Sequence, residues 1–402
     1  MKKIFIPLMT VAVVAALLLG CMPGAPVTPP VTPPPVTPPP VTPPPVEPPP
    51  GPYDEYVAGL PAGCLPVPRD AFEQAVEGGK LYIYDWAEWW PDEIFEGFSE
   101  EFGIEVIRDH FASTDEIKTK FSLYPDTPFD LITGIGIEDT VPLIDLGVAQ
   151  KMNHDWMPNV FEYMAEELME MDYDPGLEYS VATDLYFCAY LYNTELVDDP
   201  RIPSWSVLFE PADEYKGRIT LLDNADETVG AALTYLGYNW YSDNEAELME
   251  AKEVLLGVKP YVMAYDSWPS LLLYGDEALI SELWYGDGWF LNDEYEAIVP
   301  VLPTEGNKLG VDNTINPIGS PNPAAAHLFL NYLFRPEVYA FYIQSIWYPP
   351  THTAVLELLP ADFQEKVTVP EGYLDKCDPF DPRAITGIGL ELRTEIWEEM
   401  KR

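Results

Sequence analysis

The sequence predicts an α/β protein of two lobes, each a mostly parallel sheet flanked by helices. Three observations carry that expectation: a β-α-β-α-β series over residues 81–132, a second α/β series starting near residue 218, and an apolar run from Tyr186 to Asn193 between them. The first series opens with Leu81-Tyr82-Ile83-Tyr84-Asp85-Trp86, whose aromatic and β-branched content suits a strand. Pro91 then stands where a helix begins, Ile94, Phe95, Phe98 and Phe102 fall on one helical face, and Gly103 supplies the stop. Ile104 to Ile107 reads as the next strand, about Asp115 to Leu123 as a helix, and Phe129 to Ile132 as the third strand. The second series runs from the strand Arg218 to Leu222 into a helix from about Asp226 to Leu236, closed by Gly237. Helices at about 245–256 and 268–276 and strands at about 278–285 and 296–301 follow. Tyr186 to Asn193 is apolar enough to be a buried strand passing from one lobe to the other. Two such lobes leave a cleft at the carboxyl ends of their sheets, where ligands of open α/β sheets bind.

Two segments precede this head. Lys2 and Lys3 with the apolar stretch Ile4 to Leu19 form a secretory leader, too short for a membrane span of ~20 apolar residues. Leu17-Leu18-Leu19-Gly20-Cys21 looks like a bacterial lipoprotein signal, which makes residues 1–20 a signal peptide and Cys21 the lipidated first residue of an extracytoplasmic, membrane-anchored chain. Residues 21–52 carry Val-Thr-Pro-Pro-Pro repeats, with 17 prolines between Pro23 and Pro52. Proline lacks the N–H that helix and sheet require, so this segment extends as a polyproline-II stalk of roughly 90 Å at most. The globular head is 53–402.

With 21 Lys+Arg against 67 Asp+Glu the net charge is −46, which excludes nucleic acid and anionic surfaces as partners and favours cations or uncharged molecules. Gly134-Ile135-Gly136 and Gly387-Ile388-Gly389 lack the third glycine of a dinucleotide fingerprint, and neither a GxxxxGK(S/T) loop nor a GxSxG elbow is present. His110, His154, His327 and His352 are scattered, without metal-ligand spacing. The expectation is therefore no enzyme, no metal and no cofactor. Cys64 and Cys377 flank the head in a compartment that permits oxidation and are expected to form one disulfide, with Cys188 a buried thiol.

From Leu81 onward the chain resembles the polyamine-binding (spermidine/putrescine) proteins of ABC importers. The resemblance rests on Tyr84-Asp85-Trp86-Ala87-Glu88-Trp89, Ser204-Trp205 with Glu214-Tyr215-Lys216-Gly217, and Asp223-Asn224-Ala225-Asp226-Glu227 before a helix ending Leu236-Gly237-Tyr238. It continues through Pro303-Thr304-Glu305-Gly306 with Asp312, Asn331-Tyr332-Leu333-Phe334-Arg335-Pro336-Glu337, and Tyr348-Pro349. It implies a type II-like, two-lobed periplasmic-binding-protein fold, with lobe 1 at about 78–187 and 310–355 and lobe 2 at about 188–309 and 356–402. Such a protein is expected to be a monomer that closes on an amine and hands it to an ABC permease driven by a separate ATPase.

A polyamine presents ammonium ends joined by methylenes, so its site needs spaced carboxylates and flat aromatic walls. The resemblance implies that Trp86, Trp284 and Tyr348 line the slot and that Glu227 and Asp312 anchor the ammonium groups, with Glu88 and Trp89 beside them. Four positions depart from the pattern. Asn224 stands where a second acid is usual, Gly310 replaces a tryptophan wall, Leu185-Tyr186 replaces Trp-Gly, and Ile135-Gly136-Ile137 replaces Ser-x-Tyr. These leave open a different small solute, such as another amine, a sugar, a peptide or a metal chelate. They leave open, too, an enzyme or adhesin displayed on the stalk.

Overall fold

Two β-sheets, each backed by its own apolar core, organise the head in the computed structural model, which describes residues 51–87, 89–379 and 387–402. The signal peptide, the stalk up to residue 50, Cys21 and Glu88 lie outside the described residues. No described helix is long and apolar enough to cross a membrane.

In chain order the strands are β1 (Lys80–Trp86), β2 (Glu105–Phe111), β3 (Leu131–Ile135), β4 (Ser180–Tyr186), β5 (Cys188–Asn193), β6 (Ile219–Leu221), β7 (Val262–Tyr265), β8 (Ile280–Trp284), β9 (Ile298–Val301), β10 (Asn307–Ile315) and β11 (Cys377–Pro379). The first sheet has the order β11-β10-β3-β1-β2, with β4 also paired to β10, and the second has the order β7-β6-β8-β5-β9. β1 runs parallel to β2 and β3, and β6 parallel to β7 and β8, the arrangement the β-α-β series predicts. The antiparallel members are β10 against β3 and β4, and β5 against β8 and β9.

Local chemistry explains the better-predicted elements. The helix Asp92–Phe102 buries Ile94, Phe95, Phe98 and Phe102, and Gly103 ends it at φ 67°, a conformation that glycine adopts without a Cβ clash. Its Phe95 stacks on Phe329 of the helix Pro323–Leu333 at 5.6 Å between ring centroids, which ties the first core together.

The structure also moves some boundaries. The run Tyr186 to Asn193 is divided at Phe187, so that β4 belongs to the first sheet and β5 to the second; the chain crosses between lobes there and again between β9 and β10. β2 reaches Phe111, β3 starts only at Leu131, and the helix near 268–276 is confined to Ser270–Tyr274. The half-buried edge strand β7 has no counterpart in the sequence reading, because four residues at a sheet edge carry too little periodicity. Lobe 1 begins before residue 78, since Tyr56, Phe72 and Ala75 are in its core. It also takes in Leu359, Phe363, Val367 and Tyr373, while the terminal helix Ile388–Lys401 returns to the second core through Ile396 and Met400.

The expected Cys64–Cys377 disulfide is not formed: both are free thiols, as is buried Cys188. Their surroundings account for the separation. Cys64 lies in a loop held by Tyr163 Oη to Gly63 O at 2.7 Å and by the Asn159 and Asn331 side chains on Leu65. Cys377 opens β11, with its Sγ 3.5 Å from Tyr373 O.

Candidate functional site

β1, β3 and β4 of the first sheet end near one another, and aromatic side chains gather at that edge. Trp86, the last residue of β1, donates its indole N–H to Gly134 O at 2.7 Å and packs edge-on against Phe111. Gly134 sits at φ 67°, and a Cβ there would lie 3.1 Å from the Trp86 ring and 3.5 Å from the Trp89 ring, so both indoles rest on its backbone. Trp89 meets Tyr348 edge to face at 5.1 Å, and Trp89 Nε1 is buried without a hydrogen-bond partner. Tyr348 lies over Gly286 and donates its hydroxyl to Asp287 Oδ1 at 2.9 Å. Burial pushes the Asp287 carboxyl up to about 7, although that hydrogen bond works the other way. Trp284 precedes the helix Tyr285–Glu294 and packs against both cores, which places it between the lobes.

Behind this wall stands a pair of acids. Asp184 of β4 and Asp312 of β10 are register partners across the antiparallel ladder, so two carboxyls face each other where like charges are destabilising. Asp184 is fully buried and accepts from Tyr342 Oη at 2.5 Å. Burial raises its carboxyl to about 6, and burial together with the neighbouring Asp184 charge holds Asp312 well above the usual carboxylate range. Asp184 Oδ2 is buried without a hydrogen-bond donor, while the Thr183 hydroxyl and the Asp312 carboxyl act on the same carboxyl group. Each carboxyl thus opposes ionisation of the other.

Lys308 is the second residue of the same strand. Residues 308, 310 and 312 alternate onto one face of β10, since strand side chains have a period of two. The Lys308 ammonium is ion-paired to Glu227, lies 3.8 Å from Glu138 Oε1 and stands 4.6 Å above the Tyr186 ring. Tyr186 in turn donates to Glu138 at 2.9 Å. Burial opposes charge on Lys308, but Glu227 and Glu138 outweigh it and hold the ammonium well above its usual range. Burial first, then the like charges of Glu138 and Asp226, raise the Glu227 carboxyl, against the Lys308 ammonium in direct contact with it. The contact joins a strand of the first sheet to the helix Ala225–Tyr235 of the second lobe.

Of the residues singled out from the sequence, Trp86, Trp89, Tyr348 and Asp312 gather around this cleft, with Trp284 between the lobes. Glu227 is there too, but on an internal lysine. Asn224 caps the helix Ala225–Tyr235, its Oδ1 accepting from the N–H groups of Asp226 at 3.0 Å and Glu227 at 3.3 Å. Gly310 and Tyr186 are register partners, and a Cβ at 310 would come 2.6 Å from the Tyr186 ring. The Tyr186 ring of β4 thus fills the space beside Gly310 of β10. The sequence reading missed Asp184, Lys308, Glu138, Asp287 and Tyr342. The available signals were an acid inside the apolar strand Ser180–Tyr186 and the Lys-x-Gly-x-Asp alternation of β10.

Two α/β lobes joined by crossing strands, with acids and aromatic rings between them, define a cleft-type solute-binding protein. Residues 93–371 match the bacterial extracellular solute-binding proteins, and the chain belongs to that family. It is 29% identical over 304 residues to the spermidine/putrescine-binding periplasmic protein of Salmonella typhimurium, covering 75% of this chain and 85% of that one. It is 28% identical over 279 residues to the putrescine/cadaverine-binding protein of Pseudomonas aeruginosa, covering 65% and 76%. Among solved structures, a candidate spermidine/putrescine ABC transporter from Listeria monocytogenes superposes with a TM-score of 0.72 at 27% identity, over 80% of this chain and 99% of that one.

Proposed function

We propose that this extracytoplasmic solute-binding protein captures a polyamine-class cation in the cleft and delivers it to an ABC permease with a separate ATPase, without chemistry of its own. The observation that carries the reading is the Asp184–Asp312 pair: a fully buried carboxyl facing a half-buried one is unfavourable in the empty protein and becomes favourable with an ammonium between them. Trp86, Trp89, Trp284, Tyr348 and Tyr186 supply flat apolar surface for the methylenes and π faces for the charge. A sugar would leave the acid pair unneutralised, which disfavours it as ligand. Lipidation of Cys21 holds the monomeric receptor at the membrane on its proline stalk.

Thermal melting of the purified full-length protein tests this. At 100 times its dissociation constant, putrescine or spermidine is expected to add about 2.7 kcal/mol of stability. No shift with any amine at millimolar concentration, or an equal shift with a neutral sugar, overturns the reading.

A further inference from the structure

We propose that Lys308 is a built-in ammonium that fills one cation subsite of the cleft, so that the protein accepts amines with one fewer charged end: short diamines, or monoamines, in preference to triamines. This rests on the amine-receptor reading above and narrows its substrate class.

The surroundings of the Lys308 Nζ are those an amine's own end requires. Two carboxylates reach it, from Glu227 and Glu138, and an aromatic face, Tyr186, lies 4.6 Å beneath it. Lys308 and Glu227 are each 3% exposed, so the pair lies inside the protein rather than on its surface. A buried carboxylate in the second lobe contacting a cation on the first lobe is the link that a bound ammonium makes when two lobes close on it. Here the chain makes that link itself. Glu227 also lies within the field of the buried guanidinium of Arg393. An incoming ammonium directed at Glu227 would therefore meet two cations of the protein.

Four residues along β10 the situation reverses. Strand residues rise ~3.3 Å each, which puts the Cα atoms of Lys308 and Asp312 roughly 13 Å apart with Tyr186 and Gly310 between them. Among the described residues no basic side chain is ion-paired with Asp184, Asp312 or Asp287; Asp184 has the hydroxyls of Tyr342 and Thr183 and the Asp312 carboxyl beside it, Asp287 has Tyr348, and the Lys308 charge acts on Asp312 only through space. The ligand's charge is thus drawn to the Asp312 end, its methylenes lie along the aromatic wall, and the far end of a longer amine runs into Lys308. A third ammonium finds its carboxylates already occupied and a like charge in its place.

The test is calorimetric titration of the purified full-length protein with butylamine, putrescine and spermidine, for the wild type and for Lys308→Met, Lys308→Arg and the double variant K308M/E227Q. Wild type is expected to bind putrescine at least ~10-fold more tightly than spermidine. K308M frees Glu227 and should move the spermidine-to-putrescine affinity ratio at least ~10-fold toward spermidine. K308R retains the cation and should keep the wild-type ratio. K308M/E227Q removes the freed carboxylate and should abolish the gain for spermidine. Tighter binding of spermidine than putrescine by wild type overturns the proposal even if no variant folds, and an unchanged ratio in folded K308M does so as well. Either result leaves the amine receptor standing. Wild type that binds none of the three amines overturns that reading and this one with it.

Discussion

The two ends of the cleft hold the same kinds of residue in opposite electrostatic states. At one end Glu227 and Glu138 face Lys308 over the Tyr186 ring, so anions, cation and π face are all supplied by the chain. At the other end Asp184 faces Asp312 with hydroxyl partners only, and Asp287 has Tyr348. The first end is complete and bridges the lobes; the second has no ion-paired cation among the described residues. A protein selected for stability alone would pair or replace the second set, because burying like charges together raises the free energy of the folded state. The contrast separates charge that holds the structure from charge that awaits a ligand.

The largest effect should come from breaking the incomplete end. Asp312→Asn is expected to weaken putrescine binding ~100-fold or more, the scale of losing a buried charge-assisted contact, while raising the melting temperature of the empty protein because it relieves the Asp184–Asp312 repulsion. Titration calorimetry and a melt without ligand read the two signs separately. A variant that binds normally, or melts lower when empty, breaks the comparison.

Next in size is the dependence on pH. Asp184 is raised to about 6, Asp287 to about 7 and the fully buried Glu282 to about 8, each chiefly by burial. All three folded values exceed those of an unfolded chain, so the folded state binds more protons. Stability of the empty protein should therefore fall as pH rises from about 4, the unfolded carboxylate range, to about 8. Cation affinity must run the other way, because only the ionised carboxyl attracts the ammonium: putrescine should bind more tightly at pH 8 than at pH 5, by up to ~10-fold per unit where one proton is displaced. Melts and titrations across pH 5 to 8 would contradict this if both quantities moved in the same direction.

The smallest effect sharpens the boundary between the two ends. Gly310→Trp places a large ring against Tyr186 and should lower stability by about 1–3 kcal/mol, as overpacking does. Adding Tyr186→Gly should recover most of that loss, since 186 and 310 are register partners. Chemical denaturation of the single and double variants measures the coupling; additive losses would mean that the two positions do not share one space.

Much of the fold was legible because it is written in local periodicity. Phe95, Phe98 and Phe102 mark one helical face and Gly103 its end; Leu81 and Ile83 mark a buried strand face; each can be read within a few residues. Trp86 stood out for a similar reason, since three tryptophans within five positions cannot all enter one core face. The acid pair was not, because Asp184 and Asp312 meet only through the register of β4 on β10. Nor was the role of Lys308, whose partner lies on a helix of the other lobe. Gly310 and Tyr186 each stood out as departures, yet only strand pairing places them side by side.

By itself, then, the sequence determined the α/β class, the two-lobe plan, the excess of acid, and the tethering signal at Cys21 that remains a proposal. Those properties depend on composition and on contacts between near neighbours in the chain. The tertiary structure alone decided which carboxyls are satisfied and which are not. A charge's state depends on what lies within a few ångströms of it in space, and in this protein those neighbours come from distant strands and from the opposite lobe.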